Sequence, residues 1–143
     1  MYTNEAEMVK LFGTREMVEI SNQSDASQTD INSERVTAAI QWAESVVDSY
    51  LCQRYTLPLP ENQIPVCLSS YAADMARYKL DRETKFREAV LGDYQEALSW
   101  LKEVAAGKLG LGVNTVQEET SPSPTVEFSA TESVFSQEAL SGF

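Results

Sequence analysis

Histidine is absent from the 143 residues, and with it the side chain that most often serves as general base near neutral pH and as metal ligand. Cysteine is scarce. Cys52 and Cys67 stand alone with no CxxC spacing, which fits reduced, structural thiols in a cytosolic protein and leaves no thiolate cluster for a metal. Basic residues are few: 11 Lys and Arg face 22 Asp and Glu, a formal charge of −11, which argues against a phosphate-binding surface. No apolar run approaches the roughly 20 residues that a membrane span requires. The opening MYTNEAEMVK has neither a charged n-region nor an apolar h-region, so no signal peptide is expected and the protein is expected to be made in the cytoplasm.

What remains is enough for one domain with a modest core. Charge is distributed unevenly. Residues 1–53 hold nine acids and three bases, residues 54–106 eight and seven, and residues 107–143 five and one. The middle is nearly neutral, so the acidic surplus sits at the two ends. Val36, Ala39, Ile40, Ala43, Val46, Val47, Tyr50 and Leu51 recur at steps of three and four. They predict a long central helix over 33–55, started by Asn32 as N-cap. Before it, Asn4–Phe12 and the segment after Thr14 read as two short helices separated by Gly13, and Ser21–Asp30 as a polar loop, expected to be mobile. After it, Pro65 opens a helix to Leu80, and Lys85–Ala106 gives another, stopped by Gly107. The expected fold is all-α: a bundle of four to five helices over 1–106, followed by an extended tail over 107–143.

That tail, rich in Ser, Thr, Glu, Pro and Gly, has the composition of a disordered segment. Two islands give it a second reading. Thr125–Ser129 alternates like a short strand, and Val134, Phe135, Leu140 and Phe143 place large hydrophobes at the end. Val126, Phe128 and these four residues are therefore expected to anchor the tail on a partner. A comparable question attaches to Tyr55-Thr56-Leu57-Pro58-Leu59, an apolar, proline-punctuated loop at the end of a helix. Tyr55, Leu57, Pro58 and Leu59 either form a subunit interface or fold back on their own core.

No catalytic arrangement stands out. The GKLGLG run at 107–112 lacks P-loop spacing, and neither an EF-hand loop nor another metal-ligand set occurs. No enzyme activity, cofactor or metal is expected. The basic residues from Arg77 to Arg87 are interleaved with acids and read as a mixed-charge helix turn. Asp48, Arg54, Asp74 and Arg77 lie on helices that carry the core stripe. They are expected to form a partly buried ion-pair network.

Several strings resemble a known family: Phe12-Gly13, Glu16–Ile20, Asp48–Leu51, Arg54–Leu59, Pro65, Asp74–Tyr78, Tyr94–Leu98, Ala106–Leu109 and the closing Val134-Phe135-Ser136 with Leu140–Phe143. Together they look like the Mu-like phage head–tail joining proteins, over nearly the whole chain. Tyr-Leu-x-x-Arg-Tyr-x-Leu-Pro-Leu is the most specific part. The polar stretch Ser21–Thr29 is longer than that pattern, and Glu132 and Gln137 stand where basic residues are expected. The resemblance implies a structural virion protein of the phage neck. It would form a ring of about twelve subunits beneath the portal protein, meet neighbouring neck or tail proteins, and carry DNA through its lumen without reading sequence. Glu5, Glu7, Glu16, Glu19 and Asp25 are candidates to face that lumen and repel phosphate. Other readings are a neck or tail-completion protein lower in the stack, and a small cytosolic protein-binding module.

Overall fold

The computed structural model describes residues 1–81 and 87–113. Five α-helices occupy most of them: α1 (Glu5–Phe12), α2 (Thr14–Ser21), α3 (Ser33–Leu51), α4 (Val66–Leu80) and α5 (Arg87–Ala105). A single 3₁₀ turn, Glu61–Gln63, lies between α3 and α4. No strand occurs among the described residues, so the all-α expectation holds. The strand expected at Thr125–Ser129 lies outside them.

Local chemistry sets most boundaries. The Asn4 side chain accepts from the Glu7 N–H and starts α1. Gly13, at φ +85°, ends it by donating to the Val9 carbonyl, and α2 begins at the next residue. Asn32 caps α3 by accepting from the Arg35 N–H at 3.2 Å. The polar loop between α2 and α3 is tied down by its own side chains. The Asn22 amide donates to the Asp30 and Val18 carbonyls, and the Asp25 carboxylate accepts from the Ser27 amide and hydroxyl and from Gln28. Those bonds to Ser27 and Gln28 hold the Asp25 carboxyl below its ordinary pKa.

The core is the three-helix packing of α3, α4 and α5, with α1 and α2 laid across α3, and α2 also on α4. From α3 come Val36, Ala39, Ile40, Ala43, Val47 and Leu51, all buried at the predicted spacing. Fully burying a Val, Leu or Ile side chain contributes about 1.5–3 kcal/mol, so this stripe is a main support of the fold. Ala72, Ala73 and Ala76 on α4 keep the neighbouring helices close, with Leu68 and Met75 filling the gaps between them.

Two boundaries differ from expectation. Helix α3 stops at Leu51, short of Tyr55. Its last carbonyl is shared by the Arg54 and Tyr55 amides, a tight turn that swings the Tyr55 ring into the core. At the other end, the chain stays on the bundle beyond Gly107. Leu111 is buried and Val113 packs against the core. The Leu111 N–H donates to the Tyr55 hydroxyl at 3.0 Å. One hydrogen bond thus ties the segments that follow α3 and α5.

Candidate functional site

The apolar loop is closed by its own subunit. Tyr55 and Leu59 are buried and Leu57 is half-buried against the core, whereas Pro58 is exposed. The peptide between Leu57 and Pro58 is cis. As interface residues Tyr55 and Leu59 are therefore corrected: they are core, because the turn after Leu51 directs both side chains inward. The tail anchors Val126, Phe128, Val134, Phe135, Leu140 and Phe143 lie outside the described residues.

The four expected ion-pair residues do not form one network among the described residues: Arg77, Asp48 and Arg54 each serve a separate contact. Arg77 is the hub of the first. It donates from Nε to Glu16 at 2.5 Å and from Nη1 to Asp93 at 3.3 Å, joining α4 to α2 and α5. Its guanidinium carbon lies 4.6 Å from the Phe12 ring centre, a cation–π contact that reaches α1 as well. Asp48 accepts from the Tyr2 hydroxyl, pinning the start of the chain to α3. Burial, reinforced by Asp48, raises the Tyr2 phenol above its usual range. Arg54 lies over Gly107, so close that a Cβ there would come within 2.3 Å of its Nη1. The expected pairing across α3 and α4 missed Glu16 and Asp93, because nothing in their spacing shows that α2 crosses α4.

Asp74 sits beside this hub with no Lys or Arg at salt-bridge distance among the described residues. Burial pushes its pKa up to about 6, and Asp93 adds to the rise while Arg77 opposes it. Around it runs a row of half-buried aromatics. Tyr78 stacks on Tyr94 at 4.0 Å between ring centres, Tyr71 tilts against Trp100 at 5.1 Å, and Lys79 lies over Trp42 at 4.9 Å. Burial raises the Tyr71 and Tyr94 phenols as well. These contacts are structural: they fill the seams of α3, α4 and α5 with large, partly polar rings.

The surface outside this framework offers two unlike regions. A shallow apolar groove lies between α1 and the first turns of α4, lined by Glu7, Lys10, Leu11, Val66, Ser69 and Ser70. Leu11 is 53% exposed and Val66 83%. The exposed side of α5 carries mixed charge around Leu91, with Glu88, Glu96 and Glu103 exposed alongside Arg87 and Lys102. The helical spacing that revealed the core was blind to the groove, since Val66 reads as one more residue of a buried stripe. Among the described residues no group of His, Cys, Asp and Glu is placed to hold a metal ion, and no helix is long and apolar enough to cross a membrane. Nothing in this geometry points to catalysis.

Comparison with known proteins gives the same lineage from two directions. A "Mu-like prophage FluMu protein gp36" from Haemophilus influenzae is 27% identical over 143 residues, covering all of this chain and 98% of that protein. The family described as "Bacteriophage Mu, Gp36" matches residues 2–130, from the start of the chain through all five helices. The chain belongs to this Gp36 family and is a Mu-like phage protein.

Proposed function

We propose that the protein is a structural component of the phage neck, an adaptor ring that links the portal to the tail and continues the DNA channel. The observation that carries this reading is membership of a Mu-like phage family over residues 2–130. It joins the resemblance of the Tyr50–Leu59 string to head–tail joining proteins. The surface chemistry suits the role. A net charge of −11 disfavours adhesion to DNA, and a wall that repels phosphate lets the duplex slide. Of the acids expected at the lumen, Glu16 is removed, because its carboxylate is spent on Arg77 and its side chain is only 17% exposed. Glu5, Glu7 and Asp25 remain for that wall, while Glu19 is paired with Arg15 at 3.5 Å. The tail from Val126 to Phe143 is proposed to dock on the portal or on an adjacent neck protein.

Immunogold labelling of purified particles tests the placement. The expected result is label at the head–tail junction. Label further down the tail assigns the protein to a lower layer, and its absence from particles discards the virion role in favour of a cytosolic binding module.

A further inference from the structure

We propose that residues 107–113 form a strap that opens on its own, hinged at Gly107 and latched by Arg54 and Tyr55, while the five helices stay folded. Three of its seven residues are glycine, and Gly107 and Gly112 stand at φ +81° and +74°. Ordering such a chain costs more backbone entropy than ordering one with side chains throughout. Little offsets that cost. The Gly107, Lys108 and Leu109 amides donate back to the Val104 and Glu103 carbonyls and only finish α5. Beyond them, among the described residues, two things hold the strap. The Leu111 N–H donates to the Tyr55 hydroxyl at 3.0 Å, and Leu111 and Val113 pack on the core. A segment with so few contacts belongs to the low end of local stability.

The latch has two points. The Tyr55 ring is core, so its hydroxyl is a fixed acceptor that the strap either meets or leaves. The Arg54 guanidinium lies on Gly107, where a Cβ would come within 2.3 Å of Nη1, and it makes no ion pair among the described residues. A cation there suits the negative end of α5, yet nothing stronger fixes it. Opening frees seven residues, at most about 25 Å of extended chain, for the part beyond Val113. This consequence deepens the docking proposed for Val126 to Phe143 and rests on it. A latched subunit holds the tail on a short leash, and an opened one lets it reach further.

Amide hydrogen exchange on the full chain, followed residue by residue in urea below the unfolding transition, tests the strap. The Leu111 amide should be protected. Its exchange should nevertheless rise with urea at less than about a quarter of the slope shown by Leu68, Met75 and Leu101, because local opening exposes little surface. Trypsin should likewise cut after Lys108 at a rate nearly independent of urea, whereas cutting after Lys102, inside α5, should follow global unfolding. Tyr55→Phe keeps the ring and removes only the acceptor. It should lower Leu111 protection about five- to ten-fold at the same shallow slope. Arg54→Ala should lower it too, and by less once Gly107→Ala has already displaced the guanidinium. A Leu111 slope equal to that of the core amides, an unprotected Leu111 amide in the parent, or protection unmoved by Tyr55→Phe or Arg54→Ala would each overturn the proposal. Should a variant fail to fold, the slopes of the parent decide alone. Docking is judged separately: a chain truncated after Val113 that still joins heads to tails discards the tail reading and leaves the strap slopes as they are.

Discussion

The loop from Tyr55 to Leu59 and the helix start at Val66 are neighbours in sequence, yet their apolar side chains meet opposite fates. Tyr55 is 2% exposed and Leu59 7%, though both lie in irregular chain on either side of Pro58; Val66 is 83% exposed, though it lies in a helix. The difference follows from what each backbone can do. An irregular segment can turn any side chain inward, and the turn after Leu51 does so for Tyr55, whose hydroxyl then satisfies the Leu111 amide. A helix start is rigid. Once Leu68, Ala72 and Met75 of α4 face the core, Val66 is fixed on the outside. Apolar character in a loop is thus weak evidence of an interface, and in a committed helix it is stronger evidence.

The sharpest way to break that contrast is Tyr55→Ala. The substitution empties a fully buried aromatic site and orphans the Leu111 N–H, and the expected loss is about 3–5 kcal/mol. Urea denaturation of the full chain measures it. A loss under about 1 kcal/mol would mean that Tyr55 is not core in solution, and the interface reading of this loop would return.

Next in size is Arg77→Ala. The Arg77 and Glu16 side chains are only 12% and 17% exposed, whereas Asp93 is 46% exposed and solvent screens that second pair. Removing the cation leaves Glu16 half-sequestered and strips Phe12 of its partner, for an expected cost of about 2–3 kcal/mol. A double-mutant cycle with Glu16→Gln isolates the pair. Coupling below about 0.3 kcal/mol would show that α2 is held by apolar contacts alone.

Asp74 gives a smaller effect with a defined sign. Its carboxyl pKa rises from 3.8 to about 6 through burial and then Asp93, with Arg77 opposing. Below pH 4 the folded and unfolded chains both hold this proton. Between about 4 and 6 the folded chain holds it more tightly, so the contribution of Asp74 to stability falls as pH rises, and its cost is complete above 6. Asp74→Asn removes the titration. The variant should be more stable than the parent by about 1 kcal/mol at pH 7.5, after discounting for partial exposure, and equal to it at pH 4. Parallel pH–stability curves for the two proteins would refute the assignment.

These tests also mark how far the sequence could be read. Helices α1 to α5 were legible because each carries an apolar stripe at helical period, and most have a recognisable cap or stop in Asn4, Gly13, Asn32, Pro65 or Gly107. The end of α3 was not, since Tyr50, Leu51 and Tyr55 continue the stripe and only the return of Leu111 shows that Tyr55 belongs to a turn. The partners of Arg77 were equally hidden. Glu16 is 61 positions away, and its approach depends on the angle at which α2 crosses α4, which no local pattern encodes. The groove at Leu11 and Val66 was invisible for the same reason: two residues from separate helices make a surface only after both helices have packed.

The smallest expected effect closes the comparison with Tyr55. Val66→Asp places a carboxylate in the first turn of α4, a turn with no acidic residue of its own and no side-chain cap. The helix dipole favours negative charge there by about 0.3–1 kcal/mol, and the valine buries too little area for its loss to matter. The variant should therefore fold with stability unchanged or slightly raised, within about 0.5 kcal/mol of the parent, at the same protein concentration. A destabilisation above about 1 kcal/mol at high dilution would show that Val66 is covered within the subunit after all. If instead the loss grows with protein concentration, the missing energy belongs to contacts between copies, since only the parent would then be stabilised by mass action. Tyr55→Ala must fail this test in the other way, with a loss that does not depend on concentration.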